Sequence, residues 1–389
     1  MSGGTGPLRI GIDVRYLSHG LVGGVHTYVT RLVPEMIRAS DDRFVLYADA
    51  KAPLEIAPPP GVEVRTLPWR HAVSSVWNDH VALARQMAAD AIDVAFFPTN
   101  YGFGPARAAT VVTVHDAINL LPLSHTLWVV GHRTTLRTRV MTVYLHQATV
   151  RAVRRATRLV TMSDFSRGTI VEASSKRADD IDVVYHGAPP KVAVTAADVA
   201  AARDAHGLTT PYVLADGLKN PGVILRAAAR LPADVRRRLT LVFFARHADV
   251  LPVLQAAVAA GEARLLVRPT TETLAALYAG AAVFAFPSWV EGFGIPLLEA
   301  MTYCAPIVAS NRGAIPEVAG DAAHFVDAED DAALAALLER VTGDAAEAER
   351  LRRAGAARVA EFTWRRSASE TLASLHRAHA QRQAAERRR

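Results

Sequence analysis

The chain has 389 residues, half of them hydrophobic, with one cysteine and a formal net charge of +6. That length exceeds one ordinary core and suits two domains, and the lone Cys304 excludes an internal disulfide and a cysteine-rich zinc cluster. The start MSGGTGPLRIGIDV has no secretory pattern and no run reaches the ~18 apolar residues of a membrane helix, so the expectation is a cytoplasmic protein without a spanning segment.

Short apolar or β-branched runs alternate with helical periodicity from the first residues onward. LRIGIDV, RFVLYA, VEVRT, IDVAFF, TVVTV, RLVTM and IDVVY read as buried parallel strands. Periodic segments at 25–37, 74–89 and 127–155 lie between them, which is the βαβ pattern of a sheet flanked by helices. The segment 187–210, with Pro189 and Pro190, reads as a linker. The pattern then restarts with PYVLAD, LTLVFF, ARLLV, AVFAF and PIVAS, separated by helical stretches at 222–231, 248–259, 271–279 and 296–301. A last helix is expected from about Thr363, with Trp364, Ala368, Leu372 and Leu375 spaced along one face that must dock. Basic residues crowd into 133–158 and the terminal ERRR, as a solvated surface or as a contact for phosphates or an anionic lipid surface. Aromatics are not interleaved with them, which argues against nucleic acid.

Residues 288–327, SWVEGFGIPLLEAMTYCAPIVASNRGAIPEVAGDAAHFVD, carry the most chemistry. The strand AVFAFPS runs into a loop with Gly292 and Gly294, and Pro296 opens a helix where a missing N–H costs nothing. A glycine loop feeding a helix start offers backbone N–H groups and a positive dipole end to an anion such as a diphosphate. Glu291 precedes this loop and Glu299 lies about one turn into the helix. A carboxylate accepts from two adjacent hydroxyls at once, so Glu299 suits a ribose diol and Glu291 a transferred sugar. Taken singly, each reads more readily as a surface residue, Glu291 of a loop and Glu299 of a helix. The fourteen histidines show no helical pair at ligand spacing with a carboxylate, so no metal site is expected. Asp180 and Asp182 form a D-x-D string in a charged turn and are expected at the surface. No G-x-G-x-x-G follows the first strand and no P-loop is present, which removes the main support for dehydrogenase and kinase readings.

Taken together, EGFGIPLLEAM and PIVASNRGAIPEVAGDAA resemble the paired-glutamate motif of retaining glycosyltransferases of family four. The resemblance extends through GGVHTYVTRL (23–32), VTVHDAI (112–118), VTMSDFSRG, VVYHGAP and FTWRRSA. It implies an α/β GT-B fold: two Rossmann-like domains whose parallel sheets face a cleft, with the last helix crossing back. The implied domains are 1–188 on the acceptor side, 189–362 for the nucleotide sugar, and 363–389 as the returning helix and basic tail. It also implies Lys219, Glu291 and His115 as catalytic residues. Gly23, Gly24, Gly292, Phe293, Gly294 and Glu299 would bind the donor. His26, Asp116 and Arg167 would serve the acceptor or support the site, Asp116 by fixing its loop and Arg167 through a phosphate or a local ion pair. The implied reaction moves a hexose from a UDP- or GDP-sugar to a small-molecule or lipid-linked acceptor, with retention and without metal or cofactor. Residues 133–158 are then a candidate contact with the inner membrane face. One departure is visible: PYVLADGLKN is short and lacks the arginine that usually precedes the lysine, leaving Arg246 or Arg268 to reach the phosphates. The same departure supports the alternative of a catalytically silent relative that binds a nucleotide sugar or acts as a scaffold.

Overall fold

The structure, a computed structural model, describes residues 6–19, 23–124 and 135–388. Residues 127–134 of the expected helix, and with them the start of the basic segment, lie outside the described residues. The chain divides into two compact units, Met1–Gly187 with Thr363–Arg389, and Ala188–Phe362.

The first unit is built on seven strands: β1 (Arg9–Asp13), β2 (Arg43–Asp49), β3 (Glu63–Leu67), β4 (Val94–Phe97), β5 (Ala109–Thr113), β6 (Arg158–Thr161) and β7 (Ile181–Val183). They pair in the order β3-β2-β1-β4-β5-β6-β7, all parallel. Ile10, Ile12, Val94, Phe96, Val111 and Val112 are fully buried, as expected of strands covered by helices on both faces. The second unit repeats the scheme with β8 (Tyr212–Asp216), β9 (Thr240–Ala245), β10 (Ala263–Val267), β11 (Val283–Phe286), β12 (Ile307–Ser310) and β13 (Ala323–Val326). Their order is β10-β9-β8-β11-β12-β13, again parallel. Strand order reverses between β1 and β4 and between β8 and β11. Connecting helices diverge at such a point, and the crevice left at the carboxyl ends of the strands is where doubly wound sheets take ligands.

The last helix, Trp364–Arg387, belongs to the first unit. Thr363 caps it by accepting from the Arg366 N–H, and Ala368, Leu372, Leu375 and Ala378 join Leu32, Val33 and Met36 of helix Gly24–Arg38 in one core. Gly187 packs so tightly on this helix that a Cβ there would come 2.5 Å from the Trp364 nitrogen. Asp182 corrects the surface expectation for the D-x-D string. Its side chain is only 15% exposed and accepts from Arg158 Nε at 2.9 Å and from Ser374 Oγ at 2.6 Å, with Arg377 at 3.0 Å. It clamps the last helix to β7, while Asp180 accepts from Gln381.

Three further differences from the sequence reading have local causes. The stretch 74–89 is two helices, Ala72–Trp77 and Leu83–Ala89, joined by a π-helical turn at Asn78–Ala82. On that widened turn Asp79 meets Arg15 at 2.9 Å and the phenols of Tyr101 and Tyr144, side chains that periodicity alone does not register. Within the expected linker, Ala196–Ala205 is helical, because Thr195 and Asp198 form a capping box ahead of an alanine-rich run. The helix expected at 248–259 begins only at Pro252, which occupies its first turn.

Candidate active site

The second unit collects the carboxylates and cations around its switch point. β8 ends at Asp216, whose carboxylate accepts the Leu218 N–H at 2.9 Å while its carbonyl accepts the Lys219 N–H at 3.1 Å. This tight turn leads to Asn220, which is buried and left-handed at φ 54, and Pro221 then starts helix Pro221–Arg230. The Asn220 amide donates to the carbonyls of Pro287 at 3.0 Å and Ala328 at 2.7 Å. The loop after β8 is thus stapled to the loop after β11, and Lys219 is carried to Glu291 with Nζ 2.7 Å from Oε1.

Glu291 is held on its other sides as well. Ser288 Oγ donates to the same Oε1 at 2.7 Å, and the Glu291 carbonyl accepts the Ala314 N–H at 3.0 Å. Gly313 makes that approach possible: at φ +64 any Cβ would sit 2.7 Å from the Glu291 carbonyl oxygen and 2.8 Å from its nitrogen. Gly294, at φ +97, turns the chain into helix Ile295–Thr302, with Pro296 in the first turn. The Phe293 ring is buried against Phe362, with centroids 5.9 Å apart, so its side chain serves the core.

Glu299 projects from this helix to Tyr278, whose hydroxyl donates to Oε2 at 3.1 Å. Burial pushes its carboxyl above the ordinary carboxylate range, opposed by that hydrogen bond and by Arg246, and Asp216 adds to the rise. Burial likewise raises Asp216, offset by Lys219 and Arg246. Arg246, just past β9, is therefore close enough to bias both carboxyl groups. Arg268, left-handed at φ 50, donates from Nε to the Arg246 carbonyl at 3.2 Å. Two cations and three carboxyl groups thus gather in one electrostatic neighbourhood, beside a helix start. Asp216, Tyr278, Ser288 and Gly313 were not singled out from sequence; Ser288 and Gly313 lie inside the motif stretch, and Asp216 ends a strand at the switch point. Among the described residues no group of three or more histidine, cysteine or acidic side chains is arranged to hold a metal.

The residues expected from the first unit are placed as follows. Helix Gly24–Arg38 begins at Gly24, preceded by extended Gly23, with no side-chain cap. His26 pairs with Glu55 at 2.6 Å. His115 follows β5; its backbone N–H donates to Asn100 Oδ1 at 2.8 Å and its Nε2–H to the Pro98 carbonyl at 2.9 Å. A carbonyl only accepts, so Nε2 carries the proton and Nδ1 keeps the lone pair. Burial drives the imidazole down to about 4, so it is neutral at pH 7. Tyr28 lies edge-on to His115 at 5.0 Å and His186 stacks on it at 6.0 Å. Asp116 accepts the Ile118 N–H at 3.0 Å, closing its loop, and Arg167 pairs with Asp164 at 2.6 Å one turn away.

Comparison with known proteins adds ancestry to this geometry. Residues 22–192 match the family described as Glycosyltransferase Family 4, and residues 215–358 match Glycosyl transferases group 1. The chain is 34% identical over 158 residues to an O-antigen chain mannosyltransferase B of Escherichia coli, a match covering 40% of this chain and 42% of that protein. It is 29% identical over 243 residues to a D-inositol 3-phosphate glycosyltransferase of Mycolicibacterium smegmatis, covering 57% and 53%. The chain thus spans about half the length of these curated relatives. A solved glycosyltransferase from Rickettsia africae superposes with a TM-score of 0.68 at 13% identity, covering 96% of this chain and 99% of that one. An Anabaena protein solved with UDP-glucose gives 0.65 at 16% identity, covering 95% and 100%. At such identities the structural likeness establishes the fold.

Proposed function

The chain belongs to the group 1 glycosyltransferases of family four, and on that premise we propose that it transfers a hexose-type sugar from a UDP- or GDP-sugar to an acceptor hydroxyl, with retention and without a metal. The observation that carries this reading is the 2.7 Å pair of Lys219 and Glu291 at the switch point of the second sheet. In the resting site each neutralises the other. A diphosphate placed against the helix start at Gly294 competes for Lys219, and Glu291 is released to accept from hydroxyls of the sugar.

Each remaining group then has one task. Glu299, positioned by Tyr278, accepts from the ribose diol. Lys219, with Arg246 in the place of the missing arginine, offsets charge that grows on the leaving diphosphate, which is electrostatic stabilisation of the transition state. The acceptor oxygen bonds to the anomeric carbon from the face that the diphosphate leaves, the carbon–oxygen bond to phosphate breaks, and the acceptor's proton passes to a phosphate oxygen. No carboxylate nucleophile is needed for this step, and Ser288 keeps its hydrogen bond to Glu291 while that carboxylate accepts from the sugar. Neutral His115, with its Nδ1 lone pair, suits accepting a hydroxyl proton in a hydrogen bond. The acceptor is a small molecule or a lipid-linked group.

The test is calorimetry of the whole chain against a panel of nucleotide diphosphates and nucleotide sugars, with and without magnesium, followed by turnover. One donor should bind without metal, about tenfold more weakly or worse in Glu299→Ala. Lys219→Ala should lower turnover about 100-fold with a smaller effect on donor binding. A chelator should leave the rate unchanged. Equal donor affinity in Glu299→Ala would remove the ribose assignment. Donor binding without transfer to any acceptor would favour a silent nucleotide-sugar-binding relative, the reading that the shortened lysine tract supports.

A further inference from the structure

Asp216 is the third carboxyl group of the candidate site and the one that the transfer reaction leaves without a task. It ends β8 at the switch point of the second sheet, half-buried, and its backbone is fixed. The Gly217 N–H donates to the Phe244 carbonyl at 2.8 Å and the Lys219 N–H to the Asp216 carbonyl at 3.1 Å. A Cβ at Gly217 would lie 3.0 Å from Leu254 and 3.4 Å from the Phe244 carbonyl oxygen, so the turn has no slack. The side chain is aimed by the Leu218 N–H, which donates to Oδ1 at 2.9 Å. Among the described residues no donor reaches Oδ2, and no lysine or arginine lies within ion-pairing distance of the carboxylate.

The charges around it give that open oxygen a use. Lys219 on the same turn, Arg246 past β9 and Glu291 past β11 act on Asp216, which in turn acts on Glu299 of helix Ile295–Thr302 and Tyr278 of helix Thr271–Gly280. Burial disfavours the ionised form and Glu291 adds to this, while the Leu218 N–H, Lys219 and Arg246 oppose it. A nucleotide sugar brings a doubly charged diphosphate into this neighbourhood and draws Lys219 away from Glu291, so the excess of negative charge grows. The three carboxyl groups differ in how they can respond. Glu291 keeps Ser288 Oγ as a donor and Glu299 keeps the Tyr278 hydroxyl, and both then accept from hydroxyls of the bound donor. Asp216 has one backbone N–H and an open oxygen, on a turn that cannot withdraw. It is therefore the group that becomes neutral, and a neutral carboxyl gains an O–H donor where the tract before Lys219 lacks its arginine.

We propose that Asp216 binds the donor diphosphate as a carboxylic acid. A proton from water joins Oδ2 as the nucleotide sugar enters, the new O–H donates to a phosphate oxygen, and the proton returns to water when the nucleotide diphosphate leaves. No bond of the sugar changes in this step, so the transfer keeps its own balance. The inference rests on the donor reading of the site.

The experiment is titration calorimetry of the full chain with UDP-glucose and with GDP-mannose from pH 6 to pH 8, each pH in two buffers of different ionisation heat. Both nucleotide sugars keep their charge over that range, so a proton taken up belongs to the protein. Binding should take up as much as one proton, and affinity should fall as pH rises, by up to about tenfold per unit. Asp216→Asn keeps an acceptor for the Leu218 N–H and offers the phosphate an amide donor that needs no proton. It should melt near the parent chain, bind without uptake, lose the pH slope and bind more tightly than the parent at pH 8. Asp216→Ala, which offers no donor, should bind about tenfold more weakly than the parent at pH 6. Binding without uptake in the parent, or uptake that persists unchanged in Asp216→Asn, would overturn the proposal and leave the donor reading standing. Failure of both nucleotide sugars to bind at any pH would overturn the two together.

Discussion

Lys219 and Glu291 illustrate how far a residue type predicts a role and where prediction needs a partner. A lysine before a helix and a glutamate before a glycine loop are legible in the sequence, since both positions face the open end of a parallel sheet. Their pairing depends on β8 lying beside β11, which no local pattern states. Gly313 and Tyr278 escaped notice for the same reason, because each acts on a glutamate 21 or 22 positions away in the chain. In the opposite direction, the Phe293 ring turned inward to Phe362, and His26 and Arg167 found carboxylates of their own in Glu55 and Asp164. The sharpest residue-scale prediction concerns Gly313. In Gly313→Ala the new methyl would press on the Glu291 backbone in a left-handed conformation, costing about 1–2 kcal/mol and shifting Glu291 away from Lys219. Melting should fall by a few degrees while transfer activity falls about tenfold or more. Unchanged activity at the lowered melting temperature would show that Glu291 tolerates the shift.

Among the elements, the parallel strands were the most legible, because burial on both faces demands unbroken apolar runs such as FVLYA and VAFF. β13 was missed, since AHFV is short, sits at the sheet edge and buries only its first and last residues. The π-helical turn was invisible because its cause lies in Arg15, Tyr101 and Tyr144, far away in sequence. The docking of the last helix was legible on its apolar side and not on its polar one. Trp364, Ala368, Leu372 and Leu375 announce a buried stripe, whereas the clamp by Asp182 needs β7 to be set against it. Asp182→Asn should leave Arg158 largely buried without its countercharge and cost ~3 kcal/mol. Thermal unfolding would register this as a drop of several degrees, and an unchanged melting temperature would mean that Ser374 and the apolar stripe suffice.

For the whole molecule, alternating strand and helix patterns predicted two parallel α/β sheets, and the chain folds into two units that share the order of a doubly wound fold. The stacked histidine pair of the first unit makes a prediction at this scale. Burial lowers His115 to about 4 and His186 to about 3 from an ordinary 6.5. Both folded values lie below the unfolded one, so between them the unfolded chain binds more protons and stability falls as pH drops. Melting followed from pH 7 to pH 4 should show this loss, and His186→Gln should flatten it; an identical slope in the variant would place its origin elsewhere. The discontinuity of the first unit has a consequence of another kind. Its core needs Ala368, Leu372 and Leu375 to cover Leu32, Val33 and Met36, while the second unit is one continuous stretch, Ala188–Phe362. On the ribosome the inner unit can close first, and the opening 187 residues must wait with an uncovered apolar face until the last helix emerges. A nascent chain halted before Thr363 would carry one finished unit and one that holdase chaperones and proteases recognise as incomplete.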